Sequence, residues 1–329
     1  MSFLACRVYR DGHEVSHRLE MISVTDLSPG EVIVNVCYSG INYKDALAAT
    51  GRGQILKKFP LNAGIDLAGE VEESSDPRFK PGDKIIVNGC GLGEIHDGGL
   101  AQKARVPADW VMPLPEGMTM RESMILGTAG FTAALALHRM LHNGQTPDKG
   151  PVAVTGASGG VGSFAVNMLS NLGFEVVAIS GREAHYDYLK ELGATHVSSV
   201  DDLELGTKPL ERARFGGVVD NIGGETLAKL MAHTQLWGNV ACIGLADNHQ
   251  LSTTVFPLIL RGVSLLGVSS TNCPMPLRTK IWQQMGKELK PNRFSLILSH
   301  EAKLKDVSIL FDDLLNRKRF GRILIDCRA

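Results

Sequence analysis

Gly156, Gly159 and Gly162 stand three apart in Val152-Ala153-Val154-Thr155-Gly156-Ala157-Ser158-Gly159-Gly160-Val161-Gly162, where an apolar run breaks into glycines. Glycines let backbone amides approach a phosphate closely, and a helix start beneath them adds partial positive charge. Ser158, Gly159, Gly160 and Val161 are therefore candidate contacts for the diphosphate of a dinucleotide. The spacing is not the strict dinucleotide fingerprint, so the elements around it must carry the reading. A turn whose glycines serve only tight helix packing is the alternative.

Those elements are a strand, a helix and a second strand. The run before the glycines is β-branched and follows Gly150-Pro151, which suits a buried parallel strand. Phe164, Ala165, Met168, Leu169 and Leu172 recur three to four apart on one helix face, and Gly173 sits where a left-handed cap ends a helix. Val176-Val177-Ala178-Ile179 completes the unit, and Ser180-Gly181-Arg182 follows it. An NAD-preferring site has Asp or Glu at that strand end, accepting from the ribose hydroxyls. A guanidinium and a serine hydroxyl instead suit the extra phosphate of NADPH, which is the expected cofactor. Otherwise Arg182 is a solvated residue starting the next helix.

The pattern continues past Arg182. Tyr186 to Leu192 reads as a short helix closed by Gly193, and His196–Ser199, Gly217–Ile222, Asn239–Gly244 and Ser264–Val268 read as further strands. Six strands alternating with helices make a doubly wound parallel sheet. Ligands in that architecture lie at the carboxyl ends of strands, so Asn221, Gly244-Leu245 and Ser269-Ser270 become candidate neighbours of the cofactor, the alternative being that they are only strand-end turn residues.

The first part of the chain differs in character. Glu31 to Tyr38 alternates polar and apolar residues after the turn Ser28-Pro29-Gly30, and Ala68–Glu72 and Lys84–Val87 are further strand candidates, separated by Lys80-Pro81-Gly82-Asp83. From Arg121 to Leu141 the sequence gives a largely apolar helix, and a domain boundary is expected just before it. In the tail, Leu304, Val307, Leu310, Phe311, Leu314 and Leu315 share a helix face, then Arg317-Lys318-Arg319 leads to a closing strand, Ile323-Leu324-Ile325, expected to return to the first domain.

The 329 residues are 44% hydrophobic and 21% charged, which suits a globular chain of two ordinary domains. A formal net charge of −1 offers no global field to nucleic acid or an anionic membrane, so neither is an expected partner. No early stretch has the layout of a signal peptide, and no apolar run is expected to approach the length needed to span a bilayer, so the cytoplasm is the expected location. Cys6, Cys37, Cys90, Cys242, Cys273 and Cys327 lie far apart without a C-x-x-C pair, which favours scattered thiols over disulfides or a zinc knuckle.

Taken with Ser39-Gly40-Ile41-Asn42-Tyr43-Lys44-Asp45, Gly64-Ile65-Asp66-Leu67-Ala68-Gly69, Lys80-Pro81-Gly82-Asp83 and Leu126-Gly127-Thr128-Ala129-Gly130-Phe131-Thr132, the chain resembles the medium-chain dehydrogenases/reductases. The resemblance implies an α/β protein. A GroES-like, β-rich catalytic domain would comprise residues 1–122 and 288–329, and an inserted Rossmann domain, a doubly wound parallel sheet, residues 123–287. It also implies a homodimer. Zinc alcohol dehydrogenases of this superfamily carry a cysteine where Asn42 stands and a His-Glu pair where Ile65-Asp66 stands, and their four-cysteine lobe is replaced here by the short Asn88–Gly93 region. The soft and imidazole ligands of a catalytic zinc are missing, so no metal is expected.

Ser180-Gly181-Arg182-Glu183, Tyr188–Ala194 and Leu258–Val263 resemble one zinc-free subgroup, the acrylyl-CoA reductases, which have also been labelled quinone oxidoreductases. The implied activity is NADPH-dependent reduction of the carbon-carbon double bond of a short α,β-unsaturated acyl-CoA, acrylyl-CoA to propionyl-CoA first. An NADPH:quinone or enone oxidoreductase is the alternative, and a non-catalytic NADPH-binding protein, as in lens crystallins recruited from this superfamily, is a third reading. Such chemistry needs donors for the enolate oxygen and a proton source rather than a metal. Asn42, Tyr43 and Asp66 match the active-site wall, with Tyr43 either a donor or a cofactor contact and Thr128 toward the nicotinamide. Asp45 is read as an organiser of its loop, and Asp66 as the residue that fixes Asn42 or binds the carboxamide. Ile259 and Arg317 join Leu245 and Ser270 among the expected cofactor contacts. For the phosphates of a coenzyme A thioester, Lys57, Lys58, Arg261, Arg317 and Arg322 are available, and none is assigned.

Overall fold

The computed structural model describes residues 2–328, which group into two compact units. The first unit takes residues up to Thr128 with 271–286 and those from Leu298 onward, and the second takes 129–270 and 287–297. Residues 271–286 thus group with the first unit, although they fall inside the span 123–287 expected as one domain. The reason is polar: Arg278 and Trp282, on the helix Met275–Met285, are buried and hydrogen-bonded to Asn88 of the first unit.

The first unit is built from antiparallel strands. Ser2–Asp11 and Glu14–Ser23 pair over their whole length, turning at Gly12, whose φ of +57° suits a residue without Cβ. The strand Val32–Ile41 organises the main sheet. It pairs with Asp66–Ser74, with Lys103–Val106 along its first half, and with the closing strand Arg322–Asp326 along its second. The tail therefore returns to the first unit as expected. Val32, Val34, Val36, Leu67, Ile85 and Val87 bury their side chains here, and Leu304, Val307, Leu310 and Phe311 of the tail cover them. Alternation along Val32–Val36 is what one buried face requires.

In the second unit the expected parallel sheet is present. Its strands are β1 (Val152–Thr155), β2 (Val176–Ile179), β3 (His196–Ser198), β4 (Phe215–Asp220), β5 (Thr234–Cys242) and β6 (Ser264–Gly267), in the order β3-β2-β1-β4-β5-β6. That is the doubly wound order, with its switch point between β1 and β4. β1, β2 and β4 are buried at every residue, because helices cover both faces of a parallel sheet. The helix Gly160–Asn171 buries Phe164, Ala165, Met168 and Leu169, and Gly173 takes φ +81° just beyond its cap.

The helix Met120–His142 corrects one expectation. It has the length and hydropathy of a bilayer span, yet 78% of its apolar window is buried inside the protein, so it serves as a core helix. Gly127, at φ +48° and ψ −153°, breaks it one residue before the division between the units.

Candidate active site

Two groups of predicted residues come together, one in each unit. In the first, Asn42 ends the Val32–Ile41 segment and caps the helix Tyr43–Ala49. Asp45 reaches back to accept from the Asn42 amide nitrogen at 2.8 Å, and its other oxygen accepts from the Ile65 amide at 2.9 Å. Asp45 thus fastens the 42–45 turn to the segment that leads into Asp66. The Asn42 Nδ2 donates to Asp66 Oδ2 at 2.7 Å and to Asp45 Oδ2 at 3.2 Å. Thr128 donates twice to Asp66, from its backbone nitrogen at 2.8 Å and from its hydroxyl at 2.6 Å.

Arg322 closes this cluster from the last strand. Its guanidinium donates to the carbonyls of Ile125 and Ile41 and to Asn42 Oδ1, at 2.9, 3.1 and 3.0 Å. Nη2 lies 4.0 Å from Asp66 Oδ2. Burial pushes the Asp45 carboxyl up to about 7, with the neighbouring Asp66 adding to the shift, and burial lowers the Arg322 guanidinium from its ordinary value. Gly127 is required here by conformation and by space, since a Cβ on it would sit 2.6 Å from Asp66 Oδ2. Asp66 is fully buried, Asn42 is buried and Tyr43 is 52% exposed, so of these three Tyr43 alone presents its side chain to solvent.

A second layer supports Thr128. Asn88 Nδ2 lies 3.5 Å from its hydroxyl, Trp282 Nε1 donates to Asn88 Oδ1 at 2.8 Å, and Arg278 donates to the Asn88 carbonyl at 2.7 Å. Sequence reading missed Asn88, Arg278 and Trp282. Nothing local in the sequence marks an arginine and a tryptophan at helical spacing as buried, and only the fold shows that both turn inward.

In the second unit the backbone does most of the work. Gly156 takes φ +57°, Gly159 caps the helix Gly160–Asn171 without a side-chain hydrogen bond, and a Cβ on Gly162 would lie 2.4 Å from the Gly156 carbonyl oxygen. The turn is thus closed by glycine, with the first amides of the helix uncapped. Alongside, Thr155 donates to the buried Asp220 at 2.8 Å and accepts from the Asn221 amide nitrogen at 2.9 Å. Burial raises the Asp220 carboxyl. Asn221 Nδ2 donates to the Thr155 carbonyl at 2.7 Å, while its Oδ1 is buried without a partner. A ligand donor would satisfy that oxygen, which otherwise costs about 1–3 kcal/mol. Gly244 packs against Asn221, and Leu245 beside it is exposed.

At the end of β2, Ser180 Oγ accepts from the Arg182 amide at 3.3 Å, and the Arg182 guanidinium makes no ion pair with the described residues. Burial and Arg182 together hold the His185 imidazole below its usual value. The glycine turn, an orphaned acceptor at the switch point and an uncommitted guanidinium fit a dinucleotide that carries an additional phosphate.

The remaining predicted residues are more scattered. Ile259 is 68% exposed on the helix Phe256–Arg261, Ser270 follows β6, and Arg317 is exposed at φ +55° after the tail helix. Of the five basic residues available for thioester phosphates, two are already committed. Arg322 is buried in the cluster above, and Arg261 donates to the carbonyls of Ala232, Thr234 and Glu211. Among the described residues no group of three or more His, Cys, Asp or Glu is placed to hold a metal.

Comparison with known proteins identifies relatives along most of the chain. Residues 28–116 match the family described as alcohol dehydrogenase GroES-like domain, and residues 160–290 the family described as zinc-binding dehydrogenase. The chain is 44% identical to the acrylyl-CoA reductase AcuI of Ruegeria pomeroyi over 94% of both proteins. Among solved structures it is similar to the yhdH oxidoreductase of Salmonella enterica in complex with NADP, at 42% identity and TM-score 0.95, covering 98% of this chain and 99% of that one. It is also similar to the Bacillus subtilis protein yhfP with NAD bound, at 44% identity and TM-score 0.97 over 99% of each. With its two-unit architecture and these relatives along almost its entire length, the chain belongs to the medium-chain dehydrogenase/reductase family.

Proposed function

We propose that this chain is an NADPH-dependent reductase of the carbon-carbon double bond in a short α,β-unsaturated acyl-CoA, acrylyl-CoA first. The 44% identity to an acrylyl-CoA reductase over 94% of both proteins carries the substrate reading. NADPH is chosen over NADH because Arg182, beyond the second strand of the parallel sheet, is an uncommitted cation where an NAD site has a carboxylate. Ser158, Gly159, Gly160 and Val161 would hold the diphosphate, Ser180, Gly181 and Arg182 the extra phosphate, and Asn221, Leu245, Ile259, Ser270, Arg317, Thr128 and Tyr43 the rest of the cofactor.

When bound, the dihydronicotinamide supplies a hydride to the β-carbon of the thioester. The side chains need only polarise the carbonyl, provide a proton and fix geometry. Tyr43 has an exposed phenol, whose hydroxyl can donate a hydrogen bond, at the start of its helix. Asn42 and Asp66 spend their polar atoms on each other, on Thr128 and near Arg322, so their role narrows to positioning Thr128 and the Tyr43 backbone. An amide and a saturated carboxylate are a poor set for zinc, and the reaction is assigned without a metal.

Mixing purified protein with NADPH and either acrylyl-CoA or a simple quinone tests the assignment. Rapid NADPH oxidation with acrylyl-CoA supports it. Faster oxidation with the quinone would transfer the reading to a quinone or enone reductase, and binding without oxidation to a non-catalytic NADPH-binding protein.

A second copy of the chain is the proposed partner. β6 is an edge strand, and Leu236, Trp237, Phe256, Leu260 and Leu265 are exposed on or beside the β5-β6 edge. Such an edge invites pairing. Sedimentation should give a dimer, and Leu265→Lys should shift it to monomer; a monomeric parent protein would end this reading. The cytoplasm is the proposed compartment, where six unpaired cysteines stay reduced.

A further inference from the structure

Coenzyme A carries three phosphates, and with Arg261 and Arg322 committed internally the basic residues left for them include Lys57 and Lys58. Both are exposed in the loop that joins the helix Tyr43–Ala49 to the short strand Leu61–Asn62. The same loop and the tip of the N-terminal hairpin enclose a cavity of about 440 Å³, lined by Arg10, Gly12, His13, Gln54 and Phe59 among others. That volume falls within the range of small-molecule sites, roughly 300–1,000 Å³.

Its chemistry suits a nucleotide. The Arg10 guanidinium lies over the Phe59 ring, 4.6 Å from its centroid, and makes no ion pair with the described residues. A guanidinium held over a ring keeps N–H donors for other partners, and its planar fork can bind phosphate in bidentate fashion. Arg52, Lys57 and Lys58 add positive charge from the loop, against Asp11 and Glu14 at the hairpin tip. Uncharged pantetheine has no use for such a set.

The cavity is also placed to serve a thioester held beside Tyr43. Ala48 lines it, at the far end of the same seven-residue helix, and seven residues of helix span about 10 Å. The pantetheine arm of coenzyme A is longer than that. We propose that this cavity is the subsite for the 3′-phospho-ADP end of the coenzyme A substrate, an inference that rests on the acyl-CoA reading above.

Kinetics with acrylyl-CoA and acrylyl-pantetheine, which lacks the nucleotide, test it. The parent protein should prefer the CoA ester by tenfold or more in kcat/KM, through KM. In Arg10→Gln and in Lys57→Ala/Lys58→Ala that preference should fall toward one. Adenosine 3′-phosphate 5′-diphosphate should inhibit the parent in competition with acrylyl-CoA rather than with NADPH, and should lose potency about tenfold against Arg10→Gln. Equal kcat/KM for the two esters in the parent, or an undiminished preference in both variants, would overturn the subsite while leaving thioester reduction intact. No turnover of either ester would instead overturn the functional reading, and inhibition by the nucleotide competitive with NADPH alone would overturn the subsite.

Discussion

The two groups of candidate residues, one in each unit, are made in opposite ways. In the first unit, side chains from positions 42, 45, 66, 128 and 322 lock one another in a buried network. In the second, a contiguous turn from Gly156 to Gly162 offers backbone amides, and its glycines matter for what they lack. Removing a side chain should therefore be most damaging in the first unit, and adding one most damaging in the turn.

The largest effect should come from Arg322→Met. It removes the guanidinium that meets Asn42 and faces Asp66 and leaves the carboxylates buried, which costs about 3–5 kcal/mol. Urea unfolding measures it, and a loss below about 1 kcal/mol would dissolve the contrast. Gly162→Ala makes the opposite change. Its Cβ would press on the Gly156 carbonyl and on Ala157, costing about 1–3 kcal/mol and weakening NADPH binding in titration calorimetry.

Arg182→Ala removes a cation that the fold leaves uncommitted. Loss of a charge-assisted contact of about 1.5–3 kcal/mol should weaken NADPH binding tenfold or more with NADH binding unchanged. Equal weakening of both would show that Arg182 does not read the extra phosphate.

The most gradual effect is on pH dependence, spread over about three pH units. With Asp45 raised to about 7 in the folded protein and near 3.9 when unfolded, the native state binds the extra proton between those values. Stability should then fall as pH rises from about 4 to 7 and level off above, by at most ~1.4 kcal/mol per unit. Unfolding midpoints that rise through pH 5 to 7 would contradict the assignment of Asp45 as the dominant buried titrating group.

The same contrast explains what could be read in the chain. The glycine turn, its flanking strands and the helix face of Phe164 to Leu169 are local patterns, and the structure has them where periodicity put them. Asn42 and Asp66 drew notice only through resemblance to a family, because nothing local says that residues 24 positions apart will share a hydrogen bond. Arg322 drew notice only as a basic residue available for the phosphates of a coenzyme A thioester. Its burial depends on the last strand pairing with Val32–Ile41, a contact across most of the sequence. Arg278 and Trp282 went unnoticed for the same reason. The apolar helix Met120–His142 was under-read too, since burial rather than composition decides what such a segment does.

Product analysis tests the central claim most directly, with protein stripped by a strong chelator and supplied with NADPH and acrylyl-CoA. One propionyl-CoA should form for each NADPH oxidised, at the rate of untreated protein. Absence of propionyl-CoA, or activity lost on chelation and restored by zinc, would contradict the assignment of a metal-free, NADPH-dependent reduction.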